Sequence, residues 1–79
     1  MSAQITDATI ADNVRGAAAA AEMDLVDLGA QSGIADRTWW RRLTGRSPWQ
    51  VSEIVSVADT LGIDAASLLN AQEAHSHAA

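Results

Sequence analysis

Apolar residues recur at helical spacing along most of the chain and nowhere alternate with polar ones long enough to make a strand, so the pattern predicts an all-α fold. Ile10, Val14, Ala17, Ala18 and Ala21 fall at i, i+4, i+7, i+8 and i+11, a stripe that predicts a first helix opening after Thr6 or Asp7 as its cap. The alanine run from Ala17 to Ala21 keeps the phase of that stripe and reads as ordinary helix, alanine being the strongest helix former. Asp24 caps a second, short helix over about 25–32, with Leu28 and either Leu25 or Val26 turned inward and Gly33 as its stop. Beyond Ile34 a third helix runs over about 36–44 and ends at Gly45. The gap of about three residues between the second and third helices has the length of the tight turn in a helix-turn-helix unit. Pro48 holds the stretch from Arg46 to Trp49 out of helix. A fourth helix follows over 51–61, behind Gln50 as cap with Glu53 completing an imperfect capping box; Val51, Ile54, Val55, Ala58 and Leu61 are its expected buried face. Asp64 caps a fifth helix carrying Leu68 and Leu69. The chain thus divides into a compact five-helix domain over 1–70 and a flexible tail over 71–79, where nothing beyond alanine provides an apolar anchor.

Length and composition narrow the classes of function. A chain of 79 residues supports one core, and the absence of cysteine removes both a disulfide framework and a thiolate zinc site. The longest apolar run, Gly16 to Ala21, falls far short of the ~20 residues that cross a bilayer. The N-terminus lacks the positive charge that opens a secretory signal, so a cytoplasmic location is expected. No Ser/His/Asp or Cys/His set and no glycine-rich phosphate loop stands in a helical region, so the expectation is a protein that is not an enzyme, with no cofactor and no small-molecule ligand. His75 and His77, two apart, share no helix face and have no third ligand beside them, which reads as no metal site.

Charge changes the picture once its distribution is considered. A net charge of -5 repels polyanions at long range. All five basic residues are arginine, however, and Arg37, Arg41, Arg42 and Arg46 fall within ten positions. At about 100° per residue, Trp39 and Leu43 share one side of the third helix while Arg37, Arg41, Thr38 and Thr44 gather on the other. Burying the apolar side leaves the arginines projecting from a short, braced helix. A major groove ~12 Å wide admits such a helix and offers guanine O6 and N7 to a bidentate arginine. Arg42, Thr44, Arg46 and Ser47 lie beside or just past this face, placed for phosphate contacts that fix register. The competing reading for Arg42 and Arg46 is a salt bridge to Glu53 or Asp59. Trp39 is expected in the core; Trp49 is expected to plug the loop against the fourth helix, a place near the sugar-phosphate backbone being its alternative. Trp40, about 80° from the centre of the buried face, is compatible with the core's edge, with contact to thymine methyl groups and with a protein interface.

These residues resemble the lambda-repressor-like, Cro-type helix-turn-helix family over roughly residues 8–70. The resemblance rests on the Gly33-Ile34 turn, the end of the third helix from Arg41 to Gly45, the Ser47-Pro48-Trp49 loop, and the closing Leu61-Gly62-Ile63 with its capped last helix. It implies a five-helix phage or bacterial transcriptional regulator, often dimeric on a palindromic operator. It also implies base reading from Asp36, Arg37, Trp40 and Arg41, with phosphate contact from the start of helix two and the loop after helix three. The chain departs from that family in having Ala35 where Ser, Thr or Pro usually opens the recognition helix, which leaves Asp36 as a candidate cap. It also has Gly29 where alanine is usual in helix two, at a cost of ~1 kcal/mol in helix propensity.

The expected function is therefore sequence-specific binding of double-stranded DNA by a transcriptional regulator. One small module buries little surface on DNA, so a homodimer is expected, with Ile63, Leu68 and Leu69 at the interface and half-sites about 34 Å apart. The acidic balance keeps a rival in play: a protein-interaction module on the same fold, an anti-repressor or regulatory subunit. An antitoxin would require a toxin-binding segment, for which 71–79 is too short.

Overall fold

Thr6 Oγ1 accepts the Thr9 N–H at 3.1 Å and opens α1 (Asp7–Ala20), the first of five helices in the computed structural model, which describes residues 6–69. Asp24 performs the same service for α2 (Leu25–Gln31), its Oδ2 accepting the Val26 N–H at 3.0 Å. There follow α3 (Asp36–Leu43), α4 (Val51–Leu61) and α5 (Ala65–Leu69). Among the described residues there is no strand, and no helix is long and apolar enough to cross a membrane. The tail over 71–79, with His75 and His77, lies outside the described residues.

The turn between α2 and α3 depends on Gly33, whose φ of 77° is a left-handed conformation that costs a residue with a Cβ. With Gly33 in that state, Ile34 N–H reaches back to Gly29 O at 3.1 Å, closing α2 and aiming the chain into α3. The far end of α3 repeats the device: Gly45 has φ 75° and Arg46 N–H donates to Arg41 O at 2.9 Å. The first residue of α3 is Asp36, and its N-cap is Ala35, which makes no side-chain cap bond. Asp36 is therefore not the cap; its carboxylate stands in the first turn, where the positive end of the helix dipole favours it.

One core joins all five helices, built on Ile10, Val14, Leu28, Trp39, Leu43, Trp49, Ile54, Val57 and Leu68. Trp39 is 1% exposed, donates through Nε1 to Leu25 O at 2.8 Å, and meets Trp49 edge-on at 6.0 Å between ring centroids. Trp49 closes the loop into this core and its backbone N–H is tied to Asp7 Oδ1 of α1 at 3.0 Å. Gly29 makes the Trp39 site possible: a Cβ there would lie 2.5 Å from Trp39 Cδ1 and 2.6 Å from Nε1. The glycine that looked costly in α2 is the floor under an indole.

Several expected buried positions move. On α4 the core stripe is Ile54, Val57 and Ala58 with Leu61 half-buried, whereas Val51 and Val55 are 77% and 43% exposed. In α2 it is Leu25 that turns inward and Val26 that faces out. Ala21, the C-cap of α1, is exposed, and Ala11 and Asn13 are buried instead. Asn13 Nδ2 donates to Leu68 O at 2.7 Å, joining α1 to α5. Leu68, expected at a dimer interface, is 1% exposed and belongs to the core, while Leu69 is half-buried against its edge.

Gly16 is the opposite case to Gly29. It sits exposed inside α1, and a Cβ there would meet nothing within 4 Å. Gly16→Ala is expected to stabilise the domain by about 0.5–1 kcal/mol, through helix propensity alone. Thermal unfolding followed by circular dichroism checks this; an unchanged or lower midpoint contradicts it.

Candidate nucleic-acid interface

Because Trp39 and Leu43 anchor α3 in the core, the rest of that helix is presented outward, at a fixed rotation. Asp36, Arg37, Trp40, Arg41, Thr44 and Arg46 line one shallow depression on this side. Arg37, Arg41 and Arg46 are exposed, and none is in an ion pair among the described residues. Trp40 is half-buried, one part against the core and the rest lining the depression, so it seals the core's edge while contributing an apolar floor. The four residues implied to read bases thus stand together, beside two of the four expected to touch phosphate.

The other two point elsewhere. Arg42 lies on the flank of α3 toward α4, where Nε donates to Glu53 Oε1 at 2.7 Å and Nη2 to Oε2 at 3.0 Å, while Nη1 donates to Ser47 Oγ. The two side chains of this bidentate pair are 12% and 13% exposed. The Arg42 guanidinium therefore serves as a brace between α3, the loop and α4, and it is not an open phosphate donor. Ser47 accepts from Arg42 and retains its own hydroxyl proton for donation. Thr44 sends its hydroxyl proton back to Trp40 O at 2.9 Å or Arg41 O at 3.2 Å, so a phosphate has to compete for it. The start of α2 is acidic, with Asp24 already accepting Val26 N–H and Asp27 in the first turn, and this repels a phosphate.

Burial raises the pKa of the Glu53 carboxyl, but the hydrogen bonds from Arg42 and the Gln50 N–H, together with the Arg42 charge, outweigh it and hold the group below its ordinary value. A depressed carboxyl contributes stability that is present above its unfolded value, ~4.3 for Glu, and is lost as pH falls through the folded value. Urea unfolding at stepped pH is therefore expected to show stability falling below about pH 4.3, with Glu53→Gln removing part of that fall. An identical acid limb in the variant counts against the brace.

One basic residue escaped the sequence reading. Arg15 of α1 donates through Nη2 to Leu43 O at 3.3 Å, at the C-terminal end of α3. Nothing in the local spacing signals this, since 28 residues separate donor and acceptor. Among the described residues, no cluster of three or more His, Cys, Asp or Glu is placed to hold a metal ion.

Compared with known families, residues 28–78 match the BetR domain. No curated protein and no solved structure matches the chain.

Proposed function

Since the chain belongs to the BetR domain family, a family of small helix-turn-helix DNA-binding domains, we propose that it is a sequence-specific transcriptional regulator that lays α3 in the major groove of duplex DNA. The observation that carries this reading is the outward face of α3: Arg37 and Arg41 flank Trp40 without ion pairs among the described residues, on a helix whose orientation is locked by buried Trp39 and Leu43. Arg37 and Arg41 donate to base edges, and Trp40 lies against thymine methyl groups. Arg46, with Thr44 beside it, holds a phosphate. The protein acts by binding, not catalysis, in the cytoplasm, in the manner of a phage repressor or Cro-like regulator. It works as a homodimer on a palindromic site, with half-sites about one helical turn apart. Leu68 being interior, the dimer contact falls to Ile63 and Leu69, joined by exposed Val55.

A mobility-shift titration against duplex selected from a random pool, at low and high salt, tests the proposal. Preference for selected over random sequence that survives the higher salt supports it. Equal, weak binding to both at low salt retires it in favour of the rival protein-interaction module, for which net charge -5 is the supporting feature.

A further inference from the structure

Resting on that DNA-binding reading, we infer that Arg15 is a further phosphate-contacting residue, and that the nucleic-acid surface extends from α3 across its C-terminal end onto α1. Arg15 lies outside the residues matched to the family and outside the depression on α3. It is nevertheless placed by its bond to Leu43 O at the same end of the recognition helix as Arg46, whose N–H closes that end on Arg41 O.

The reason begins with the sign of the field there. The C-terminus of a helix carries unpaired carbonyls and the negative end of the dipole, which repel an approaching phosphate. A recognition helix docked along a groove brings this end close to the sugar-phosphate backbone. The Arg15 guanidinium covers the Leu43 carbonyl and replaces a partial negative charge with a full positive one. One of its five N–H donors is used in that bond. The side chain is exposed, and no carboxylate pairs with it among the described residues, although Asp12 stands three positions earlier on the same helix. Arg15, Arg37, Arg41 and Arg46 thus share one condition, exposure without an ion pair among the described residues, while Arg42 alone is paired. A guanidinium oriented by one long hydrogen bond of 3.3 Å, with its remaining donors open, is able to receive a phosphate bidentately.

The test compares the intact chain with Arg15→Gln and Arg15→Lys on the selected duplex and on random duplex, across a series of salt concentrations, with thermal unfolding measured in parallel. Each phosphate neutralised contributes about 0.9 to the slope of log K against log salt. The inference expects Arg15→Gln to lower that slope by about 0.9 on both duplexes, and Arg15→Lys to retain it. A slope unchanged in Arg15→Gln overturns the inference even if affinity falls, since a residue that merely caps α3 alters its placement without altering the count of displaced counterions. An intact chain that binds no duplex overturns the underlying DNA-binding reading, an outcome distinct from a normal slope in the variant.

Discussion

Trp39→Ala lowers the stability of this domain by about 3–5 kcal/mol, the loss expected for truncating a fully buried indole. Against a total of roughly 0.05–0.15 kcal/mol per residue, this removes a large fraction of the stability of the domain. The effect is large because Trp39 is held on three sides: Gly29 beneath its ring, Leu25 O on its Nε1 and Trp49 across its edge. The same contact approached from the other partner gives a second reading of it. Gly29→Ala adds a methyl that meets the ring below 3 Å, and overpacking of this kind costs about 1–3 kcal/mol. Alanine's better helix propensity, about 1 kcal/mol, offsets only part of this. Urea unfolding of both variants and of a Gly29→Ala, Trp39→Leu double variant checks the account. In the double variant alanine's propensity reappears, so the two changes are not additive. If Gly29→Ala stabilises as Gly16→Ala does, the indole does not rest on that glycine.

Arg41→Ala is expected to cost about 1–3 kcal/mol in binding the selected duplex, roughly 5- to 150-fold in affinity, and to relax base preference at one position. Arg46→Ala is expected to differ in kind, weakening selected and random duplex alike and lowering the salt slope by about one. The contrast follows from position. Arg41 is on the outward line of α3 with Arg37, the face proposed to meet base edges, whereas Arg46 stands past Gly45, where the chain has left the helix. Binding titrations against a panel of single base-pair substitutions separate these outcomes. Loss of affinity without any change in preference for Arg41→Ala removes it from the base-reading set.

Much of this arrangement was legible in the sequence because it depends on local rules. The cap at Asp24, the start of α1 at Thr6 or Asp7, the stops at Gly33 and Gly45, and the bounds of α4 follow from side-chain and dihedral preferences that act within a few residues. The inward phase of α4 was not legible. Val51, Ile54, Val55 and Ala58 fit a helical period as well as Ile54, Val57, Ala58 and Leu61 do, and only the placement of α2 and α5 chooses between the two stripes. Leu68 and Leu69 posed the same ambiguity in a helix too short for a pattern. At the candidate site, the grouping of Arg37, Trp40 and Arg41 followed from rotation along one helix. For Arg42 the sequence allows either a phosphate contact or a pair with Glu53, and the angle between α3 and α4 decides for the pair. Arg15 and the Gly29–Trp39 contact join different helices, so no spacing in the chain announces them.

The gathering of Arg37, Arg41 and Arg46 around the outward face of α3 also bears on how an acidic protein meets an acidic polymer. The molecule measures 36 × 25 × 18 Å, while screening by physiological salt sets in over about 8 Å. Carboxylates beyond that distance are then muted at a duplex touching α3, where the field is set by the nearby guanidinium groups, offset in part by Asp36. Turned the wrong way round, the same molecule offers the duplex its carboxylates first. Encounter is thus expected to be orientation-selective, with idle attachment through other surfaces suppressed, so that a chain with net charge -5 spends less of its time on irrelevant DNA than a uniformly basic one.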